Sequence, residues 1–163
     1  MIDSISEIRL KDLMPAFADK VRTLMLMLSG ESINTRVVQA LRSWSDQDKL
    51  YAQGRTAPGS IVTNVQGGYS WHNYGLAVDL VPSLPGDTYI PDWNKDHATW
   101  KRMIQLGPTL GLESGAAWRT FPDAPHFQLN GRFPVGAPDD EVRQLFKDGG
   151  MAAVWDEVMK SLA

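Results

Sequence analysis

The chain has 163 residues, 43% of them hydrophobic and 21% charged, which is enough for one domain with a core of its own. The absence of cysteine excludes a disulfide framework, a thiolate-bound zinc or iron–sulfur centre and a thiol nucleophile, and only His72, His97 and His126 are available as imidazoles. With 16 Lys plus Arg against 19 Asp plus Glu, the net charge of −3 offers no basic stripe for tracking phosphates and speaks against nucleic acid as the main partner.

The opening segment MIDSISEIRLKDL carries Asp3 and Glu7 where a secretory leader starts basic and continues apolar. The nearest apolar run, Leu24 to Leu28, falls far short of the roughly 20 residues a membrane span needs. The expectation is a polypeptide made in the cytoplasm, with no export signal of its own and no stable membrane insertion. From Pro15 to Leu28, the residues Phe17, Val21, Leu24 and Leu28 recur at helical spacing, with Pro15 suited to a first turn and Gly30 as a stop. Ile33 to Leu41 is β-branched and predicts a strand whose end delivers Arg42 and Ser43 to a loop. Ser45 followed by Asp48 resembles a capping box and opens a short helix that Gly54 ends.

Arg55 to Gly68 is rich in turn formers and predicts a loop suited to crossing a cleft. Leu76 to Val81 predicts a buried strand carrying Asp79, and Pro82 to Trp93, with three prolines, an irregular surface excursion. A helix is expected from about Asp96 to Leu106, with Trp100, Met103 and Ile104 inward and Gly107-Pro108 ending or breaking it. His126 to Leu129 begins a further short strand. The tail predicts two short helices, Asp139 to Lys147 and Met151 to Leu162, parted by Gly149-Gly150. No repeat, low-complexity tract or linker marks a second domain.

Two blocks carry chemistry. In GGYSWHNYGLAVDLV, from Gly67 to Val81, His72 sits in a turn-rich entry and Asp79 in the apolar run after it, with Gly75 letting the chain fold between them. A loop leading into a strand can bring that imidazole and carboxylate to one side of a sheet as two members of a metal site. A structural histidine and a locally satisfied strand-end aspartate would leave the same pattern, although a carboxylate in so apolar a run needs a partner. In WRTFPDAPHFQ, from Trp118 to Gln128, Asp123 stands three residues before His126, in a turn stiffened by Pro122 and Pro125. If His126 holds a metal, that turn sets the Asp123 carboxylate beside the open position, where a base is needed. An ordinary turn aspartate reads the same way.

These blocks resemble a known family. SWHNYGLAVD, Ser70 to Asp79, matches the Ser-x-His-x-x-Gly-x-Ala-x-Asp signature of the peptidoglycan zinc peptidases of family M15, which include D-alanyl-D-alanine carboxypeptidases, dipeptidases and phage L-alanyl-D-glutamate endopeptidases. DAPHFQ is similar to the Asp-x-Pro-His-Phe-Gln end of the phage endolysin branch, and LRSWSDQDKLYAQGRT, Leu41 to Thr56, to the family's arginine-containing turn and following helix. The resemblance implies an α+β fold of the hedgehog/D-Ala-D-Ala-peptidase type, a small antiparallel sheet with flanking helices. It implies Zn²⁺ held by His72, Asp79 and His126, with Asp123 as general base and Arg42 steadying charge on the substrate carbonyl. Ser70, Gln47 and Trp118 match positions near the substrate, though Gln47 serves equally as a helix brace and Trp118 as wall packing. His97 matches no motif position and is expected at the surface.

One departure bears on specificity. The carboxypeptidase and dipeptidase branches place Glu three residues before the last histidine, where this chain has Asp123. The resemblance, which spans about Leu41 to Leu129, therefore implies the endopeptidase branch and the L-alanyl to D-glutamate bond of peptidoglycan stem peptides, and with no repeat or linker a single zinc peptidase domain over residues 1–163, without a wall-binding domain, is expected. It implies a monomeric endolysin of a bacteriophage or prophage, reaching the cell wall after another protein opens the membrane. D,D- or L,D-carboxypeptidase activity, or a non-catalytic zinc-stabilised binding domain, are the alternatives.

Overall fold

The computed structural model describes residues 2–86 and 88–163, so Asp87 of the expected excursion and Met1 lie outside the described residues. The fold is α+β, the described residues forming a four-stranded antiparallel sheet in the order β1-β2-β4-β3 and five α-helices. The chain divides into two compact units, Met1–Ala40 with Ala77–Leu129 and Leu41–Leu76 with Asn130–Ala163.

The first unit holds the sheet. Helix α1 (Ser4–Leu10), which periodicity does not announce, starts at Asp3, whose carboxylate accepts from the backbone N–H groups of Ile5 and Ser6. Helix α2 (Pro15–Gly30) follows the expected pattern, burying Phe17, Val21, Leu24 and Leu28 along one face. Strand β1 (Thr35–Gln39) pairs with β2 (Ala77–Pro82), the register shifting between Val37 and Gln39. Val78, Leu80 and Val81 of β2 are buried, which accounts for its apolar run. Pro82, expected to open the irregular excursion, ends β2 as the partner of Thr35, and residues 83–93 form no regular element among those described, apart from a bridge between Ser83 and Pro91.

Helix α4 (Ala98–Thr109) departs from expectation by running through Gly107-Pro108. Pro108 sits in the last turn, where its missing N–H forfeits a single i→i−4 bond and the helix ends one residue later, and Gly107 is buried against Phe127 of β4 (His126–Gln128). A Cβ at Gly107 would overlap the Phe127 ring, so the glycine that looks like a stop is a packing surface. Strand β3 (Glu113–Ser114), too short to leave a period-two signal, closes the sheet against β4.

The second unit holds α3 (Trp44–Ala52), a 3₁₀ turn at Trp71–Tyr74 and α5 (Asp140–Leu162). The cap of α3 is Ser43 rather than Ser45, its hydroxyl accepting from the Asp46 N–H at 3.1 Å. Residues 54–70 contain no helix or strand, as their turn formers predict. Tyr74 and Trp44 pack on Phe146 of α5, with ring centroids 5.4 and 5.5 Å away. Trp155 of the same helix donates its indole N–H to the Tyr74 carbonyl at 2.6 Å. Gly149 (φ −144°) and Gly150 (φ 65°) leave helical geometry inside α5, the break expected between the two tail helices. No helix of the described residues is long and apolar enough to cross a membrane.

Candidate functional site

His72 lies on the 3₁₀ turn, buried to 4% exposure, and its carbonyl accepts from the Arg42 N–H at 3.0 Å. The turn ends at Gly75, whose φ of 65° suits a residue without a Cβ and lets the chain enter β2. Asn73, buried and unforeseen, braces this entry. Its amide donates to the Arg42 carbonyl at 3.0 Å, and its Oδ1 accepts from the Gly68 N–H at 2.9 Å and the Ser70 N–H at 3.4 Å. Ser70 occupies the position before the turn, two residues from His72. The Arg42 guanidinium donates to Gln47 Oε1 at 2.8 Å. Gln47 is fully buried on α3, and its NH₂ donates to Thr63 Oγ1 at 3.1 Å and to the Val65 carbonyl at 2.9 Å. The Gln47 side chain therefore links Arg42 to the loop after α3.

In the sheet, β2 and β4 pair so that Asp79 stands directly across from His126, and paired residues of an antiparallel ladder share a face. His126 Nδ1 lies 3.4 Å from Asp79 Oδ1, and its Nε2 lies 2.9 Å from Gln128 Oε1. Burial works against a charged imidazole, yet the Asp79 carboxylate, the Gln128 acceptor and the Asp123 charge outweigh it and hold the His126 pKa above the ordinary value. Asp123 sits on the turn leading into β4. Its N–H donates to the Gly115 carbonyl at 2.9 Å, and its own carbonyl accepts from the His126 N–H at 3.2 Å.

Trp118 places its ring 4.8 Å from that of His126, tilted by 49°. Its buried indole N–H meets no hydrogen-bond partner among the described residues. His97 takes no part in this arrangement: it precedes α4 and pairs through Nδ1 with the buried carboxylate of Asp92 at 2.8 Å.

Among the described residues, His72, Asp79 and His126 form the one group of side chains that could hold a metal ion. Two imidazoles and a carboxylate are the donor set of a tetrahedral zinc site that leaves one position open for chemistry.

Residues 63–129 match the profile of an M15 peptidase family described as D-alanyl-D-alanine carboxypeptidase. Over 123 residues the chain is 35% identical to the peptidoglycan L-alanyl-D-glutamate endopeptidase CwlK of Bacillus subtilis strain 168, a match covering 72% of this chain and 74% of that protein. The chain belongs to peptidase family M15. The crystal structure of the L-Ala D-Glu endopeptidase ChiX of Serratia marcescens shares the fold, with a TM-score of 0.59 and 24% identity over 79% of this chain and 89% of that one.

Besides Asn73, two residues of this M15 site have a part that sequence reasoning does not assign. Gly115 is required by close approach, since a Cβ there would fall 2.6 Å from the Asp123 carbonyl oxygen and 2.9 Å from His126 Cβ. Gln128 ends the DAPHFQ run without a role of its own there, and its position two residues past a histidine on a strand puts both side chains on one face.

Proposed function

We propose that the protein is a zinc-dependent endopeptidase that hydrolyses the L-alanyl to D-glutamate bond of peptidoglycan stem peptides. The observation that carries this reading is the Asp79–His126 pair, set face to face across the β2–β4 ladder and joined by His72 as a candidate third ligand, in a chain similar to an endopeptidase named for that bond. The three side chains fit zinc in donor type and number, and a zinc ion held by them would supply Lewis-acid activation of water and of a peptide carbonyl.

The remaining work falls to the protein. Asp123, fixed by its backbone to Gly115 and within electrostatic reach of His126, accepts a proton from the attacking water and returns it to the leaving amine. Arg42 stabilises the negative charge developing on the carbonyl oxygen, its guanidinium steadied by Gln47. Ser70 and Trp118 contact the substrate, the latter through an indole N–H that has no partner within the described residues. No covalent intermediate is needed, which agrees with the absence of cysteine.

A carboxypeptidase reading has one observation in its favour, the description of the matched family profile. Asp123 in place of glutamate weighs against it, by the family pattern. Digestion of purified sacculi and mass spectrometry of the products separates the two: new L-alanine carboxyl and D-glutamate amino termini are expected, and released terminal D-alanine would overturn the endopeptidase reading. Metal analysis of the same preparation is expected to find zinc, and full activity in excess chelator would remove the metal from the reaction. A role in host lysis is proposed from the phage-like DAPHFQ run. Its expression together with a membrane-opening protein is expected to lyse a culture that either protein alone leaves intact.

A further inference from the structure

We infer that Gln128 is a positioning residue that decides which imidazole nitrogen of His126 carries the hydrogen, and so whether Nδ1 meets Asp79 as a lone pair or as a donor. The inference deepens the metal-site reading above and, in its consequence for zinc, rests on it. Its geometric part stands on the sheet alone.

A glutamine Oε1 can only accept. At 2.9 Å from it, His126 Nε2 must therefore carry the hydrogen, and in the neutral ring Nδ1 is then left with its lone pair. That nitrogen is the one 3.4 Å from Asp79 Oδ1. Without Gln128 the neutral ring would have a reason to choose the opposite tautomer, donating Nδ1–H to the carboxylate across the ladder. Gln128 holds the imidazole against this choice, so that Nδ1 and Asp79 present two electron-pair donors rather than a closed hydrogen bond. Histidines that bind metals commonly donate their other N–H to such a partner, which fixes tautomer and ring orientation.

The strand supplies the reach. His126 and Gln128 alternate to the same face of β4, and the β2 residue opposite Gln128 is Ala77, a side chain small enough to leave space beside it. Gln128 is fully buried, so the bond is shielded from competing water. Glutamate has the same length and keeps an acceptor. Asparagine is one methylene too short for this contact, while leucine and methionine fill similar volume and offer no comparable acceptor.

The test uses the full-length protein, stripped of metal and then titrated with Zn²⁺ against a chelating dye, alongside Gln128→Leu, Gln128→Met and Gln128→Glu. Long-range ¹H–¹⁵N NMR at a pH where the ring is neutral reads the His126 tautomer directly, and circular dichroism confirms that each variant is folded. The parent is expected to carry its hydrogen on Nε2. Leu and Met are expected to move it to Nδ1 and to weaken zinc binding by roughly 10- to 100-fold, with Glu restoring most of the affinity.

A residue that merely packs would change the thermal midpoint of the metal-free variants and leave tautomer and affinity unmoved, which would overturn the inference. A parent with its hydrogen on Nδ1 would overturn it too. If the parent binds no zinc while the tautomer shifts as expected, the metal reading fails and the positioning role of Gln128 stands.

Discussion

Asp123 owes its position to backbone bonds, and the residue that makes them possible has no side chain. Gly115 lets its strand end approach so closely that its carbonyl accepts from both the Asp123 N–H at 2.9 Å and the Trp118 N–H at 3.2 Å. Asp123→Ala removes the carboxylate and leaves this scaffold in place. It is expected to keep zinc and thermal midpoint while losing roughly 10²- to 10⁴-fold in kcat, the usual contribution of a general base. Undiminished turnover of a defined stem peptide would remove Asp123 from the base role. Gly115→Ala attacks the same residue from behind, because the new methyl would meet the Asp123 carbonyl and His126 Cβ inside contact distance. The neighbours have to shift, so a loss of roughly 1–3 kcal/mol in unfolding free energy is expected together with a fall in kcat, read by chemical denaturation and steady-state kinetics.

Among the elements, those that bury a regular face were legible in the sequence, and those set by a single contact were not. Helix α2 and strand β2 bury continuous apolar sets, and both lie where spacing places them. The His72 and Asp79 block is equally legible, because a turn leading into a strand fixes their order along the chain. Helix α1 and strand β3 are too short for a period to show, and Gly107 reads as a stop until the Phe127 ring beneath it is seen.

Helix α1 depends on its cap. Burial raises the Asp3 pKa, but the Ser6 hydroxyl and N–H, the Arg36 guanidinium and the Ile5 N–H together pull it below the ordinary carboxylate value. A carboxyl whose folded-state pKa is depressed contributes stability above its unfolded value near 3.8 and loses it as pH falls through the folded value. Asp3→Ala is therefore expected to cost about 1 kcal/mol at pH 7, and the gap to the parent is expected to narrow below pH ~3.8, as read by thermal melts across that range. A gap independent of pH would mean that the aspartate acts there without its charge.

For the molecule as a whole, the three candidate ligands are 7 and 47 residues apart along the chain, so the unfolded chain has no reason to hold them together. An ion that binds the folded chain and not the unfolded one stabilises it by mass action, by about 2.7 kcal/mol when free metal exceeds its dissociation constant 100-fold. Zinc is thus expected to raise the thermal midpoint of the metal-free protein in proportion to the logarithm of its concentration, and a chelator to reverse the rise together with peptidase activity. Acid opposes this, because zinc competes with protons for His72, His126 and Asp79, so the zinc-dependent rise is expected to shrink as pH falls. His72→Ala separates a site-specific effect from adventitious binding. It removes one of the three donors and is expected to abolish the zinc-dependent rise in melting. A variant that still gained stability from zinc as the parent does would show that the ion acts elsewhere, and His72 would then have no claim to be a ligand.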